Sequence, residues 1–264
     1  MLGAPLETYE HIEVSSGDGI ALVTMNRPHK RNALSLAHMR ELIDAFRRIG
    51  ADRRMRVAIL RGAGPAFCAG HDLTELVGAS AHFLREVFDT CTQLMDTIQS
   101  IPQPVIAQVH GVATAAGCQL VATCDVAVAG NSARFATPGV NIGLFCSTPM
   151  VAVSRVVGRK KAMEMLLTGE PISAQEALVH GLVSRVVPDE ELEAETRRLA
   201  EKIASASSYV VALGKQAFYR QVEMPQQQAY AYTKEVMTLN SLAHDAQEGM
   251  CAFLEKRRPS WKDA

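Results

Sequence analysis

Two runs of small residues in this chain of 264 could do chemistry: 65–73 (PAFCAGHDL) and 110–120 (HGVATAAGCQL). Each follows a β-rich stretch and leads towards a helical one. A turn of that kind can aim backbone N–H groups into a cleft, and a helix N-terminus offers unpaired donors with a dipole that favours negative charge. Two such donors converging on one point would cradle an oxyanion. Taken singly, a small-residue run after a strand describes close packing equally well. Further on, 143–148 (GLFCST) presents Cys146, Ser147 and Thr148, with Asn141 just before. A serine or cysteine nucleophile there would need an adjacent base. Otherwise Ser147 and Thr148 cap the next helix and Cys146 is packed.

The elements that must position these groups alternate. Residues 20–25 (IALVTM), 57–61 (VAILR), 105–109 (VIAQV) and 125–129 (DVAVA) read as buried strands. Between them, Met39, Leu42, Ile43, Phe46 and Ile49 recur at helical spacing, as do Phe83, Val87, Cys91, Leu94 and Ile98, until Pro102 and Pro104 intervene. This alternation predicts an α/β architecture with mainly parallel pairing. The last third reads as helical. Ser173 and Glu176 have capping-box spacing, Gly181 stands where a left-handed residue would end a helix, and Asp245 is the N-cap candidate of the final helix.

Composition narrows the partners. Twenty-seven basic against 28 acidic residues leave a net charge of −1, so neither nucleic acid nor a charged membrane is expected. No apolar stretch reaches bilayer-spanning length. Six scattered cysteines without a CxxC pair indicate free buried thiols, and no metal-ligand spacing is present. With no leader pattern over 1–13, a cytoplasmic protein is expected.

In order and spacing the motifs resemble the crotonase (enoyl-CoA hydratase/isomerase) superfamily. They are NRP (26–28) with NAL (32–34), FCAGHDL (67–73), GVATAAGCQL (111–120) with CD (124–125), ARFATP (133–138), LTGEPISAQEA (167–177), GLV (181–183) and FLEKRRP (253–259). The likeness runs from about Glu13 to Trp261. It is nearest to the subgroup called enoyl-CoA hydratase domain-containing protein 3, through 113–120 (ATAAGCQL), 135–140 (FATPGV) and 143–148 (GLFCST).

The resemblance implies a spiral of repeated ββα units over 1–187, followed by a helical trimerisation region over 188–264. It implies an acyl-CoA thioester as ligand, no cofactor beyond the CoA that is part of the substrate, and a homotrimer or a dimer of trimers. The thioester oxygen would accept from the backbone N–H groups of His71 and Ala116. Asp72 and Leu73 would line the adenine end of the CoA site. Arg27, Lys30 and Arg31 would meet its phosphates, with Ala33 and Ala69 beside it and Lys256, on the last helix, reaching a phosphate. The two carboxylates that a hydratase uses fall on Gln119 and Gly139, and neither side chain can act as a base. Water addition by that route is therefore disfavoured. The alternatives are a non-catalytic acyl-CoA binder, or a thioester hydrolase using Ser147 or Cys146 with His71. His110, at a strand end, is expected to be structural.

Overall fold

The computed structural model describes residues 9–264; the stretch read for a leader lies largely outside them. Strands β1 (Ile12–Gly17) and β2 (Ile20–Met25) form an antiparallel hairpin. Helix α1 (Leu36–Ala51) returns the chain to β3 (Val57–Gly62), and the short α2 (Leu73–Leu76) and long α3 (Ala81–Ser100) lead to β4 (Val105–Val109). Next come β5 (Val112–Thr114), α4 (Ala116–Thr123), β6 (Val126–Gly130) and β7 (Arg134–Ala136). The chain continues through α5 (Pro149–Val156), α6 (Arg159–Thr168), β8 (Ile172–Ser173), α7 (Ala174–Val179) and β9 (Arg185–Val187). It closes with α8 (Leu192–Ala204), α9 (Ser208–Gln221), α10 (Gln226–Leu242) and α11 (His244–Leu254).

Six strands form the main sheet in the order β1-β2-β3-β4-β6-β9, parallel throughout except at β1–β2. A second sheet, β5-β7-β8, carries the turns that return towards it. Parallel strands covered on both faces read as nearly continuous apolar runs, as β3 and β4 do apart from Arg61 and Gln108. Ala58, Leu60, Val105 and Ala107 face the core built by α1, α3 and α4. Their alternates Val57, Ile59 and Ile106 face Leu192, Leu199 and Ala200 of α8. Helix α8 thus covers the outer face of the sheet.

The sequence reading of β2, α1, β3, α3 and β4 agrees with the structure to within a residue or two at each end. The Ser173–Glu176 capping box forms with both reciprocal bonds, and Gly181 takes φ +84°. Asp245 corrects an expectation. The final helix begins one residue earlier, at His244, so Asp245 lies inside its first turn rather than capping it. The buried Asp245 carboxylate instead accepts the N–H groups of Lys262 and Asp263, both at 2.8 Å, and fastens the chain end across the helix. Burial alone would raise this carboxyl, but hydrogen bonds from Ser207, Lys262, His244 and Asp263 hold it well below the usual carboxylate range, at about 2.

One buried cation ties the C-terminal helices to the sheet. Lys215 of α9, 5% exposed, donates to Asp125 Oδ2 at 2.8 Å and to the carbonyls of Ile98 and Gln103 at 2.8 and 2.9 Å. Asp125 also accepts from Tyr219 Oη at 2.9 Å and Val105 N at 2.6 Å. All three ammonium protons have acceptors. Removing one member of such a pair strands the other charge in the interior, so Lys215→Ala is expected to cost about 3 kcal/mol in urea unfolding. A loss within the ordinary surface range would show that α9 is held by other contacts.

Candidate active site

The turn after β2 sets the geometry. Asn32, fully buried at φ +56°, accepts from Arg27 N at 2.9 Å and donates Nδ2 to the carbonyls of Ala63 and Ala66 at 2.9 and 2.8 Å. It staples the turn to the loop following β3. Arg27 then crosses to the next segment, donating to Ala33 O at 2.6 Å and to Asp72 Oδ2 at 3.1 Å. Both side chains are nearly buried, at 11% and 7% exposure. Burial would raise the Asp72 carboxyl, but hydrogen bonds from Thr74 and Arg27 hold it below its ordinary value.

Backbone bonds complete the clamp. Leu34 N donates to Gly70 O at 2.7 Å, Asp72 N to Leu34 O at 2.9 Å and Ala69 N to Arg31 O at 3.0 Å. Between Ala69 and Asp72, the N–H of His71 meets no acceptor in the described chain. Neither does that of Ala116, the first residue of α4. The two lie on either side of Gly70. A Cβ added there would stand 2.9 Å from Ala115 Cβ and 3.4 Å from Ala116 N, so only glycine, at φ +94°, lets the turn approach the helix so closely. Gly117 serves the same packing one residue on, where a Cβ would lie 2.2 Å from Cys68 O. Ala115 enters α4 at φ +49°, ψ −116°, with its N–H donated to Ala136 O at 2.9 Å. That backbone conformation costs an alanine about 1–3 kcal/mol.

A cavity of about 690 Å³ opens beside this turn. Leu73, Leu76, Phe88, Ile142, Leu144 and Phe145 supply its apolar wall. Ala69, His71, Ala115, Gly139, Cys146 and Ser147 also line it, and no carboxylate, lysine or arginine among the described residues does. The His71 ring packs edge-on against Phe88 at 5.4 Å, and its buried Nε2 has no hydrogen-bond partner. Burial lowers its pKa from 6.5 to about 4. The imidazole is neutral near pH 7.

The loop 143–146 folds over Gly139. Gly139 N donates to Cys146 Sγ at 3.3 Å, and a Cβ at 139 would lie 2.7 Å from Leu144 O and 2.9 Å from that sulfur. Burial raises the Cys146 thiol, an effect only partly offset by this N–H. Ser147 is exposed and its hydroxyl donates to Phe145 O at 3.3 Å. Neither Ser147 nor Cys146 is hydrogen-bonded to His71. Thr148 occupies the N-cap position of α5 without a side-chain capping bond, Pro149 following at the first helical position.

Gln119 is buried on α4, its Oε1 3.8 Å from Cys91 Sγ, and does not line the cavity. Arg27 and Asp72 face each other rather than the cavity, an arrangement that local sequence does not reveal. Lys30 and Arg31 are exposed and without an ion pair among the described residues, while Ala33 is buried. Lys256 sits beyond the last helix, not on it, in an exposed turn at φ +56°. His110 Nε2 donates to Gly64 O, 2.8 Å away, and so ties the end of β4 to the loop after β3. Among the described residues no cluster of His, Cys, Asp or Glu could hold a metal ion, and no helix is long and apolar enough to cross a membrane.

Two sheets wound with helices around a turn that leaves a pair of N–H groups open define a crotonase-type fold. The chain belongs to the enoyl-CoA hydratase/isomerase family, whose sequence model matches residues 15–264. It is 53% identical over 245 residues to enoyl-CoA hydratase domain-containing protein 3, mitochondrial, of Rattus norvegicus, covering 92% of this chain and 82% of the relative. To the 2,3-dehydroadipyl-CoA hydratase of Escherichia coli it is 36% identical, over 94% and 97% of the two chains. The solved enoyl-CoA hydratase of Mycobacterium smegmatis superposes with a TM-score of 0.94 at 48% identity, over 96% and 99% of the two chains. The expectation of a cytoplasmic protein is corrected here, because the rat relative and its counterparts from Mus musculus and Homo sapiens are named mitochondrial.

Because the folded-state pKa of His71 is depressed, its contribution to stability is complete above pH 6.5 and is lost as pH falls towards 4. In His71→Asn, the stability lost between pH 7.5 and pH 5 is expected to be smaller by about 2 kcal/mol, read from urea unfolding at both pH values. An unchanged loss would mean that the ring is freely hydrated.

Proposed function

We propose that this protein binds acyl-CoA thioesters and holds the thioester oxygen at the N–H groups of His71 and Ala116, without adding water by the two-glutamate route. The observation that carries the reading is the pair of open amides flanking Gly70 beside a cavity with no carboxylate in its wall. Such donors stabilise charge as it develops on a carbonyl oxygen, whatever bond then forms or breaks at the neighbouring carbon. The hydratases among its relatives act by name on enoyl-CoA substrates. In this chain Gln119 and Gly139 supply no proton-transferring group, and the neutral His71 is the one imidazole in the cavity.

In this reading Ala33, Ala69, Asp72 and Leu73 line the nucleotide end of the ligand. Lys30, Arg31 and Lys256 meet its phosphates, and Arg27 acts through its hold on Asp72. A non-catalytic acyl-CoA binder is the second reading, favoured by the missing carboxylates. The hydrolase reading is weaker, since Ser147 and Cys146 bond to backbone groups rather than to a base. Assembly as a trimer, or a dimer of trimers, through 188–264 is supported by the exposed Met237, Leu242, Phe253 and Leu254 of α10 and α11. The names of the relatives support a mitochondrial location.

Two measurements test this. Hexanoyl-CoA is expected to bind about tenfold more tightly than its thioether analogue, which lacks the carbonyl, as one or two net hydrogen bonds imply. Equal affinities would remove the oxygen cradle. Hydration of crotonyl-CoA is expected to fall about 10²–10⁴-fold below that of a two-glutamate relative assayed alongside, the usual contribution of general acid–base groups. Comparable rates would mean that another residue activates water.

A further inference from the structure

The cavity wall also bears on which acyl groups enter, an inference that rests on the acyl-CoA reading above. Its apolar residues come from three separate elements: Leu73 and Leu76 of α2, Phe88 of α3, and Ile142, Leu144 and Phe145 of the loop before α5. Leu144 and Phe145 are about half exposed, so a ligand chain laid along them would remove apolar surface from water. Each buried methylene is worth about a fourfold gain in affinity.

Charge is the second half of the case. No lysine or arginine lines the cavity, and the imidazole that does is neutral. The remaining polar side chains, Asn141, Ser147 and Thr148, are uncharged, and Ser147 already donates to Phe145 O. A carboxylate carried into this space would lose its hydration with no cation to receive it, which is costly for an ionised group. The relative from Escherichia coli is named for a substrate whose acyl chain ends in such a carboxylate.

We propose that the site selects uncharged aliphatic acyl chains longer than four-carbon crotonyl and discriminates against acyl chains ending in a carboxylate. The wall formed by Leu144 and Phe145 sets both preferences: it rewards each added methylene and offers a terminal anion no partner.

The experiment is a calorimetric series on the full chain with CoA, butyryl-CoA, hexanoyl-CoA, octanoyl-CoA and adipyl-CoA, the last matching hexanoyl-CoA in carbon number but ending in a carboxylate. Affinity is expected to rise at least tenfold from butyryl- to octanoyl-CoA, and hexanoyl-CoA to bind at least tenfold more tightly than adipyl-CoA. Leu144→Arg, at a half-exposed loop position, is expected to narrow the second ratio at least fivefold by supplying a cation. A flat chain-length series, or adipyl-CoA binding as well as hexanoyl-CoA, would overturn the inference while leaving acyl-CoA binding intact. So would an unchanged ratio in Leu144→Arg. Should no member of the series bind, the acyl-CoA reading itself fails.

Discussion

Residue 71 owes its position to a salt bridge that never reaches the cavity. Arg27 and Asp72 are each nearly sealed from water and belong to different loops, 45 positions apart. Buried pairs of this kind add little net stability, because desolvation offsets most of the attraction. What the pair supplies is position. With Asn32 stapling the same turn to the loop after β3, the backbone from Ala69 to Asp72 has almost no freedom. Gly70 can then press against Ala115, and Ala115 is held at a backbone angle that it would not adopt alone. The strain is tolerated because the surrounding bonds over-determine it. Among the described residues, the N–H groups of His71 and Ala116 beside this contact are left without an acceptor.

Around that point the protein is electrically quiet. The charged side chains of the site loops are turned towards one another, as in Arg27–Asp72, or out to solvent, as in Lys30 and Arg31. Burial lowers the pKa of His71 and raises that of the Cys146 thiol, so neither carries charge near neutrality. In such surroundings the backbone dipoles are the principal electrostatic feature, and an interaction with them is stronger than it would be in water. A neutral site with open donors favours charge that appears on a bound oxygen over charge that arrives with the ligand.

Much of this was legible in the chain itself, where the signal was local. The period of α1, the apolar runs of β3 and β4, and the Ser173–Glu176 box all report neighbours within a few positions. The open amides could be anticipated from small residues after a strand, joined to the family pattern. What stayed hidden depends on distant contacts. Nothing near Arg27 announces Asp72, and nothing near Asp245 announces the chain end that it fastens. Lys215 left a faint trace, since it shares an i, i+4 row with Val211 and Tyr219 and so interrupts an inward-facing stripe. A cation at such a position is a reason to look for a buried acid. Cellular location was read from the lack of a leader pattern over 1–13, and the mitochondrial names of the relatives overturn that reading.

The loop over Gly139 decides what position 139 can hold. Leu144 O and Cys146 Sγ already fill the space that any side chain at 139 would need, and a backbone carbonyl cannot swing aside as a flexible side chain could. A residue larger than glycine at 139 therefore requires the backbone of 143–146 to move with it. Position 139 and the loop that covers it thus form one packing unit, in which neither can change size alone.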